Sequence, residues 1–421
     1  MSETRNLERV VYPWPFFAAM AATLLLFLSF QALFPTLPLY IIAIGGSPAD
    51  TGLASWTFAL AAVLTRPLAG TLADRWGCKP VLVLGAVVFG GGPLLYALGA
   101  NVPWLLGARA IHGVGMALFT TTYQAFIAEL LSPGRYGAGL GLANTASVVT
   151  MVAAPPFGEW MAREFGFRLL FLALGALGGL GVVATLMLPG QVHSVRVDAP
   201  LLPSQRFEPG NEQRPASSSS SPPSPPSTLA AVRQTLRRPG VRAGVLGMAL
   251  LGLPFGAFIV FLPLLASAQG TGGTGWVFAA YALVSSLVQP AAGHLADRWG
   301  TERMALVGLA LVGAAAAGLA LGSSQWELLG LAGLFGAGYG AARAGLDACV
   351  QSNAAAASRG SAAAVQYTAH DLLIGLGSWT FGLLASAMGY GPMYATVGGI
   401  TLLGVAVGGL ALGRRDVTGG R

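Results

Sequence analysis

The chain has 421 residues, 54% of them hydrophobic and only 9% charged, with a formal net charge of +7. A soluble globular chain carries about 25% charged residues, so this composition excludes a water-covered globule and requires lipid over most of the surface. The basic residues fall mostly in short segments between apolar runs, which makes the charge a topology signal rather than a nucleic-acid footprint.

The first segment is polar and basic, with Arg5 and Arg9, and an apolar stretch runs from near Pro13 to about Ile44. That stretch is too long for a signal-peptide core and lacks a cleavage site, so it reads as a retained first transmembrane helix. Further spans are expected at 51–73, 80–99, 103–128, 137–160 and 169–189. Each is about 20 residues or more, enough to cross ~30 Å of hydrocarbon at ~1.5 Å per residue. The pattern then breaks between Gln191 and Arg238, where Ser217–Ser221 lead into Pro222, Pro223, Pro225 and Pro226. Such a composition cannot build a packed core and reads as a disordered tether. Its end carries Arg233, Arg237, Arg238 and Arg242, a basic segment suited to anionic headgroups. Six more spans are expected at 240–267, 275–296, 303–322, 326–353, 361–387 and 392–412.

The expected fold is therefore an all-α membrane protein of twelve transmembrane helices. It divides into a six-helix bundle at 1–190, a cytoplasmic linker at 191–238 and a second six-helix bundle at 239–421. With the N-terminus inside, the cytoplasmic segments hold Arg5, Arg9, Arg75, Lys79, Arg135, Arg298, Arg303, Arg359, Arg414, Arg415 and Arg421, while the outer loops hold Arg163 and Arg168. This asymmetry predicts both termini in the cytoplasm. Cys78 and Cys349 both fall near that side, which argues against a disulfide framework.

The two halves carry an internal repeat. Residues 67–77 read PLAGTLADRWG and residues 290–300 read PAAGHLADRWG, nine identities in eleven positions at an offset of 223. Both copies end an apolar span and precede a short basic loop. Two six-helix halves in the same orientation are parallel repeats about an axis along the membrane normal. Gly70, Leu72, Ala73, Asp74, Arg75, Gly77 and Lys79 resemble the signature loop of the major facilitator superfamily, with Asp297 and Arg298 in its second-half counterpart. Leu105, Arg109, His112, Gly113, Gly115 and Ala117 resemble the fourth-helix motif of the same superfamily.

The resemblance implies that the loop locks the halves together when the protein opens outward, with Asp74 facing a helix N-terminus, where an anion is favoured. Glycines at 70 and 77 would permit close helix approach and a tight turn. Cys78 stands where the family usually has a base, and Lys79 is the expected substitute, with Glu129 as its partner. The fifth helix reads Ala154-Pro155-Pro156-Phe157-Gly158-Glu159, a partial match to the Gly-Pro-x-x-Gly-Gly of the drug–proton antiporter branch.

Ionisable residues inside spans are costly and usually functional. Arg66 lies one turn before Gly70 and reads as a gate element. Arg343 and Asp347 are four apart and share a helix face, which allows a pair. Asp371 has no partner at helical spacing, and His370 points about 100° away from it on the same helix. Asp371, Asp347, Arg343, Arg109, His112 and His370 are the candidate proton-coupling and central-cavity residues; for Arg109 the resemblance implies a part in proton transfer or in polar contacts of the cavity. Phe30, Gln31, Tyr123, Gln124, Phe255, Phe258 and Tyr367 are the candidate lining of a mostly apolar cavity, which suits a small hydrophobic or weakly charged molecule.

No Walker sequence, metal-ligand cluster or catalytic triad signature occurs. The expectation is a transporter and not an enzyme, with no cofactor beyond a proton gradient. Its partners would be a small-molecule substrate and membrane lipid, with no nucleic acid, as a monomer in the cell (inner) membrane. Proton-coupled efflux is the leading reading. The alternatives are a sugar or metabolite symporter or facilitator, and a transport-inactive sensor or scaffold.

Overall fold

The computed structural model describes residues 12–131, 136–190, 236–355 and 358–418. Most of the 191–238 linker, and Arg5, Arg9, Arg135 and Arg421 of the charge tally, lie outside the described residues.

The first span is two helices, α1 (Trp14–Gln31) and α2 (Leu33–Ala43). Pro35 causes the break: it has no N–H to give the carbonyl four residues back, Gln31, and its ring crowds that carbonyl. The chain then forms α3 (Pro48–Trp76), α4 (Cys78–Leu98), α5 (Val102–Leu130) and α6 (Tyr136–Leu186). Gly166, at φ 80 and ψ 166, bends α6 into two spans, so six crossings precede residue 190. Six more follow: α7 (Pro239–Gln269), α8 (Thr274–Trp299), α9 (Thr301–Leu319), α10 (Gln325–Asn353), α11 (Arg359–Met388) and α12 (Tyr390–Thr418). Among the described residues ten helices are long and apolar enough to cross a membrane. One of them holds both crossings of α6. The glycine-rich α10, which carries Arg343 and Asp347, is the span that falls short on hydropathy.

Each half has its own core. In the first, Phe30, Phe58, Phe89 and Phe119 pack together; in the second, Phe258 stacks on Phe335 with centroids 4.4 Å apart. Outward faces carry exposed Leu64, Leu172, Leu180, Leu246, Leu287 and Leu403, an apolar surface that only lipid can cover.

The repeat extends well beyond the loop. A Cβ on Gly113 would sit 2.3 Å from the carbonyl oxygen of Phe58, and one on Gly336 would sit 2.5 Å from that of Tyr281. Both residues of this second pair are the first pair shifted by 223. The two halves therefore bury the same glycine against the same backbone site, α5 on α3 and α10 on α8.

The halves meet along α3 and α11, α2 and α7, and α6 and α8. The contacts begin at the end away from the chain termini. There the Ala49 N–H donates to Ser386 Oγ at 3.0 Å, and Gly52 lies against the backbone of Ser378 and Trp379. Further along, Gly375 lies against Trp56 and Ala59. Towards the terminus end the two copies of the signature loop are exposed, including Asp74, Arg75, Asp297 and Arg298. Gly77, at φ 84, makes the turn expected of it, and Gly300, its repeat counterpart, makes the same turn at φ 96. Gly70 departs from expectation: a Cβ there would meet nothing within 4 Å, and the same is true of Gly293, its repeat partner. No close approach occurs at that site.

Candidate functional site

α3 and α11 bring together two charges separated by 305 residues. Arg66 lies ten residues before Trp76, about 15 Å along the helix from its terminus end. Its Nη2 donates to Asp371 Oδ2 in an ion pair, with the two side chains 25% and 29% exposed. The expectation of an unpaired Asp371 is corrected: its partner comes from the other half of the molecule, where helical spacing cannot reveal it. Arg66 is correspondingly joined to the charged cluster, not to the signature loop.

Asp371 opens a chain of polar contacts through the second half. His370 Nδ1 lies 3.3 Å from Asp371 Oδ1, and its Nε2 lies 3.2 Å from the Tyr339 hydroxyl. The neutral tautomer with its proton on Nδ1 satisfies both contacts, donating to the carboxylate and accepting from the phenol. Phe255 packs beside Tyr339 and His370 with centroids 4.7 and 6.0 Å away. One turn towards the terminus end, the Tyr367 hydroxyl donates to Asp347 Oδ2 at 3.0 Å. Arg343 Nε lies 3.8 Å from the same oxygen and its guanidinium sits over the Tyr367 ring at 5.3 Å. Arg343 and Asp347 thus pair as their spacing allows, though loosely. Arg343 Nε, Asp347 Oδ1 and Gln366 Nε2 are buried without a hydrogen-bond partner, unusual valences for a finished core.

The first half holds a second cluster without a carboxylate. Arg109 is 7% exposed, and its guanidinium lies 4.2 Å from the Phe58 centroid. It donates to the Ala54 carbonyl at 3.4 Å and to the Tyr96 hydroxyl at 3.5 Å. That hydroxyl also lies 2.6 Å from His112 Nδ1, in a ring of Phe30, Phe58 and Phe89. His112 is 1% exposed. Arg109 borders a cavity of about 50 Å³ between the halves, with Phe30, Thr51, Ala54, Ile259 and Val260.

The remaining candidates are spread more widely. Gln31 is buried and donates to the Ser147 carbonyl at 3.3 Å. Tyr123 is buried and stacks on Phe119, whereas Gln124 is exposed. Phe258 lies in the core of the second half, fully buried against Phe335. At the loop, Cys78 Sγ meets Glu129 Oε1 at 3.2 Å, so the thiol takes the partner expected for Lys79. Tyr96, which joins Arg109 to His112, and Tyr339, which partners His370, are missed by a search for ionisable residues alone. Their signal is a tyrosine at an otherwise apolar level of the span, where the hydroxyl requires a partner.

Comparison with known proteins agrees with this architecture. A 164-residue segment, 39% of the chain, is 29% identical to 42% of the length of quinolone resistance protein NorA from Staphylococcus aureus. The chain thus spans less than half of that curated relative. The structure of the nucleoside transporter NupG superposes at a TM-score of 0.70 with 14% identity, covering 94% of this chain and 98% of that one. A bacterial homolog of the human lysosomal transporter Spinster, in an inward-facing and unoccupied conformation, superposes at 0.69 with 17% identity over 94% of each chain. The family model of the Major Facilitator Superfamily matches residues 19–274 and 245–421, and the chain belongs to that superfamily of membrane transporters.

Proposed function

We propose that this transporter moves a small organic molecule by alternating access, coupled to protons and in the direction of efflux. The bundles 1–190 and 239–421 are its two moving bodies, tethered by 191–238, with both termini in the cytoplasm. The observation that carries the reading is the Arg66–Asp371 pair, a titratable bond between the two halves inside a membrane fold. Protonation of Asp371 removes the negative charge that holds Arg66, and with it the electrostatic tie between α3 and α11. His370 and Tyr339 give the proton a hydrogen-bonded path away from the carboxylate. Arg343, Asp347 and Gln366, with their unfilled valences, form the polar wall of the substrate site. Arg109 with Tyr96 forms the opposing wall in the first half.

The contacts at the end away from the termini, together with the exposed signature loops, support one of the two alternating states, closed outside. In the other state the loops would meet the opposite half. Efflux finds support in the similarity to a protein named for quinolone resistance and in the partial fifth-helix motif.

The test is proton movement in proteoliposomes carrying an internal pH dye, with drugs, sugars and metabolites added under an imposed pH gradient. Substrate-dependent dissipation, lost in Asp371→Asn, supports the coupling role. Substrate flux without a proton signal sinks coupling and leaves a facilitator. Flux that dissipates the gradient equally in Asp371→Asn moves the coupling role to another acid.

A further inference from the structure

The fifth-helix segment has a task that the coupling scheme does not absorb. Pro155, Pro156 and Glu159 lie in α6, at the end away from the termini, where they meet the start of α8 in the other half. A Cβ on Gly275 would fall 2.5 Å from Pro156 Cα and 2.8 Å from the Pro155 carbonyl oxygen, so the two backbones are in direct contact. Beside them Glu159, 8% exposed, turns its carboxylate onto the first turn of α8. The Gly273 N–H donates to Oε1 at 3.0 Å, the Gly275 N–H donates to Oε2, and the Thr274 hydroxyl lies 3.4 Å from Oε2. Arg163 closes the arrangement at 3.1 Å from Oε1.

A helix start leaves backbone N–H groups without partners, and a side-chain oxygen just before the helix normally takes them. α8 has no such residue: its cap position is Gly273, whose left-handed φ of 75 aims the N–H groups at α6. The internal repeat makes the omission informative. α3 is the counterpart of α8 and caps itself, with Ser47 and Asp50 forming a reciprocal box. Shifted by 223, those positions are Gly270 and Gly273. Conversely, the counterpart of Glu159 is Gly382, which lies against Pro48 and Ala49 at the start of α3 and offers no acid. In one half the capping carboxylate belongs to the helix it caps. In the other it has been transferred across the interface.

We infer that Glu159 is a latch for the closed end: it caps α8 only while the two halves are together there. Opening that end strands the N–H groups of Gly273 and Gly275 and separates a carboxylate from the positive end of a helix. Among the described residues, the start of the self-capped α3 gives up one neutral hydrogen bond across the halves, that of Ala49 to Ser386, beside its backbone packing on Gly382. The latch sets the population of the closed state without using Asp371, so it stands or falls apart from the coupling scheme.

Spin labels on the full chain test it, with Cys78→Ser and Cys349→Ala removing the native thiols. One pair, Phe165→Cys with Leu321→Cys, reports the latched end; a second, Trp76→Cys with Trp299→Cys, reports the signature loops. All four positions are exposed. Glu159→Ala is expected to raise the ratio of open to closed at the latched end by roughly ten- to a hundredfold, the range for losing charge-assisted hydrogen bonds. The loop-end distance should shorten in step. Glu159→Gln, which keeps the shape and one acceptor, should give an intermediate shift, and Glu159→Asp should restore part of the closed population. Unchanged distances in Glu159→Ala overturn the latch. So does broadening at both ends together, which would make Glu159 a general support of the fold rather than a determinant of one state.

Discussion

The bond between Arg66 and Asp371 is the most exposed of these readings to a direct energetic test. Arg66→Met leaves a carboxylate inside the membrane with His370 as its remaining contact. Asp371→Asn leaves a guanidinium with one amide oxygen to donate to. Removing one member of a fully buried pair costs about 3–5 kcal/mol, because the survivor stays desolvated and unpaired. Both side chains here keep about a quarter of their surface, and His370 supplies a second partner to the acid. Water reaching the site screens the loss, so each single variant should cost about 1–3 kcal/mol. The double variant removes both charges and leaves no unpaired ion. Its cost should fall short of the sum of the singles by about 1–2 kcal/mol, a coupling energy typical of residues in contact. Unfolding of the four proteins in one detergent at one pH, followed by tryptophan fluorescence, measures the cycle. Costs that add to within ~0.5 kcal/mol would mean the two charges do not interact, and the interhalf tie would be withdrawn along with the coupling scheme built on it.

Other outcomes follow from single contacts. Gly77→Ala should destabilise by about 1–3 kcal/mol, since φ 84 with ψ 161 is open essentially to glycine alone; Gly70→Ala, with nothing within 4 Å, should cost far less, and thermal melts of the two variants compare them. Tyr96→Phe removes the hydroxyl shared by Arg109 and His112 and should cost about 1–3 kcal/mol, leaving both buried groups short of a partner. An Ala49→Cys, Ser386→Cys pair should cross-link under mild oxidant, because the native residues are in hydrogen-bond contact across the halves; substrate flux should stop on oxidation and return with reductant if that end must open in each cycle.

How much of this was legible in the chain differs by level, and the difference is physical. The twelve spans, the repeat and the turns at Gly77 and Gly300 are encoded locally, in runs of apolar residues and in backbone conformations that only certain residues adopt. The close approaches of Gly113 to Phe58 and of Gly336 to Tyr281 obey the same 223-residue shift, so even the packing of the halves was half-written in the repeat. What could not be read were contacts between the halves. Arg66 and Asp371 looked like a gate element and a lone acid because 305 residues separate them, and Gly70 looked like a packing site although a Cβ there meets nothing within 4 Å. Yet the repeat locates these cases after the fact. Shifted by 223, Arg66 falls on Gln289 and Asp371 answers to Val148, while Glu159 answers to Gly382. A two-fold axis along the membrane normal maps one half onto the other without exchanging the two ends, so the repeat by itself does not set which end is closed. Each of these three residues lies on the interface and breaks the symmetry there with a charge that its counterpart lacks. A transporter needs its two states to differ in energy in a way that substrate or proton can reverse, and unmatched charges at the moving interface supply such a difference while leaving the repeated scaffold intact.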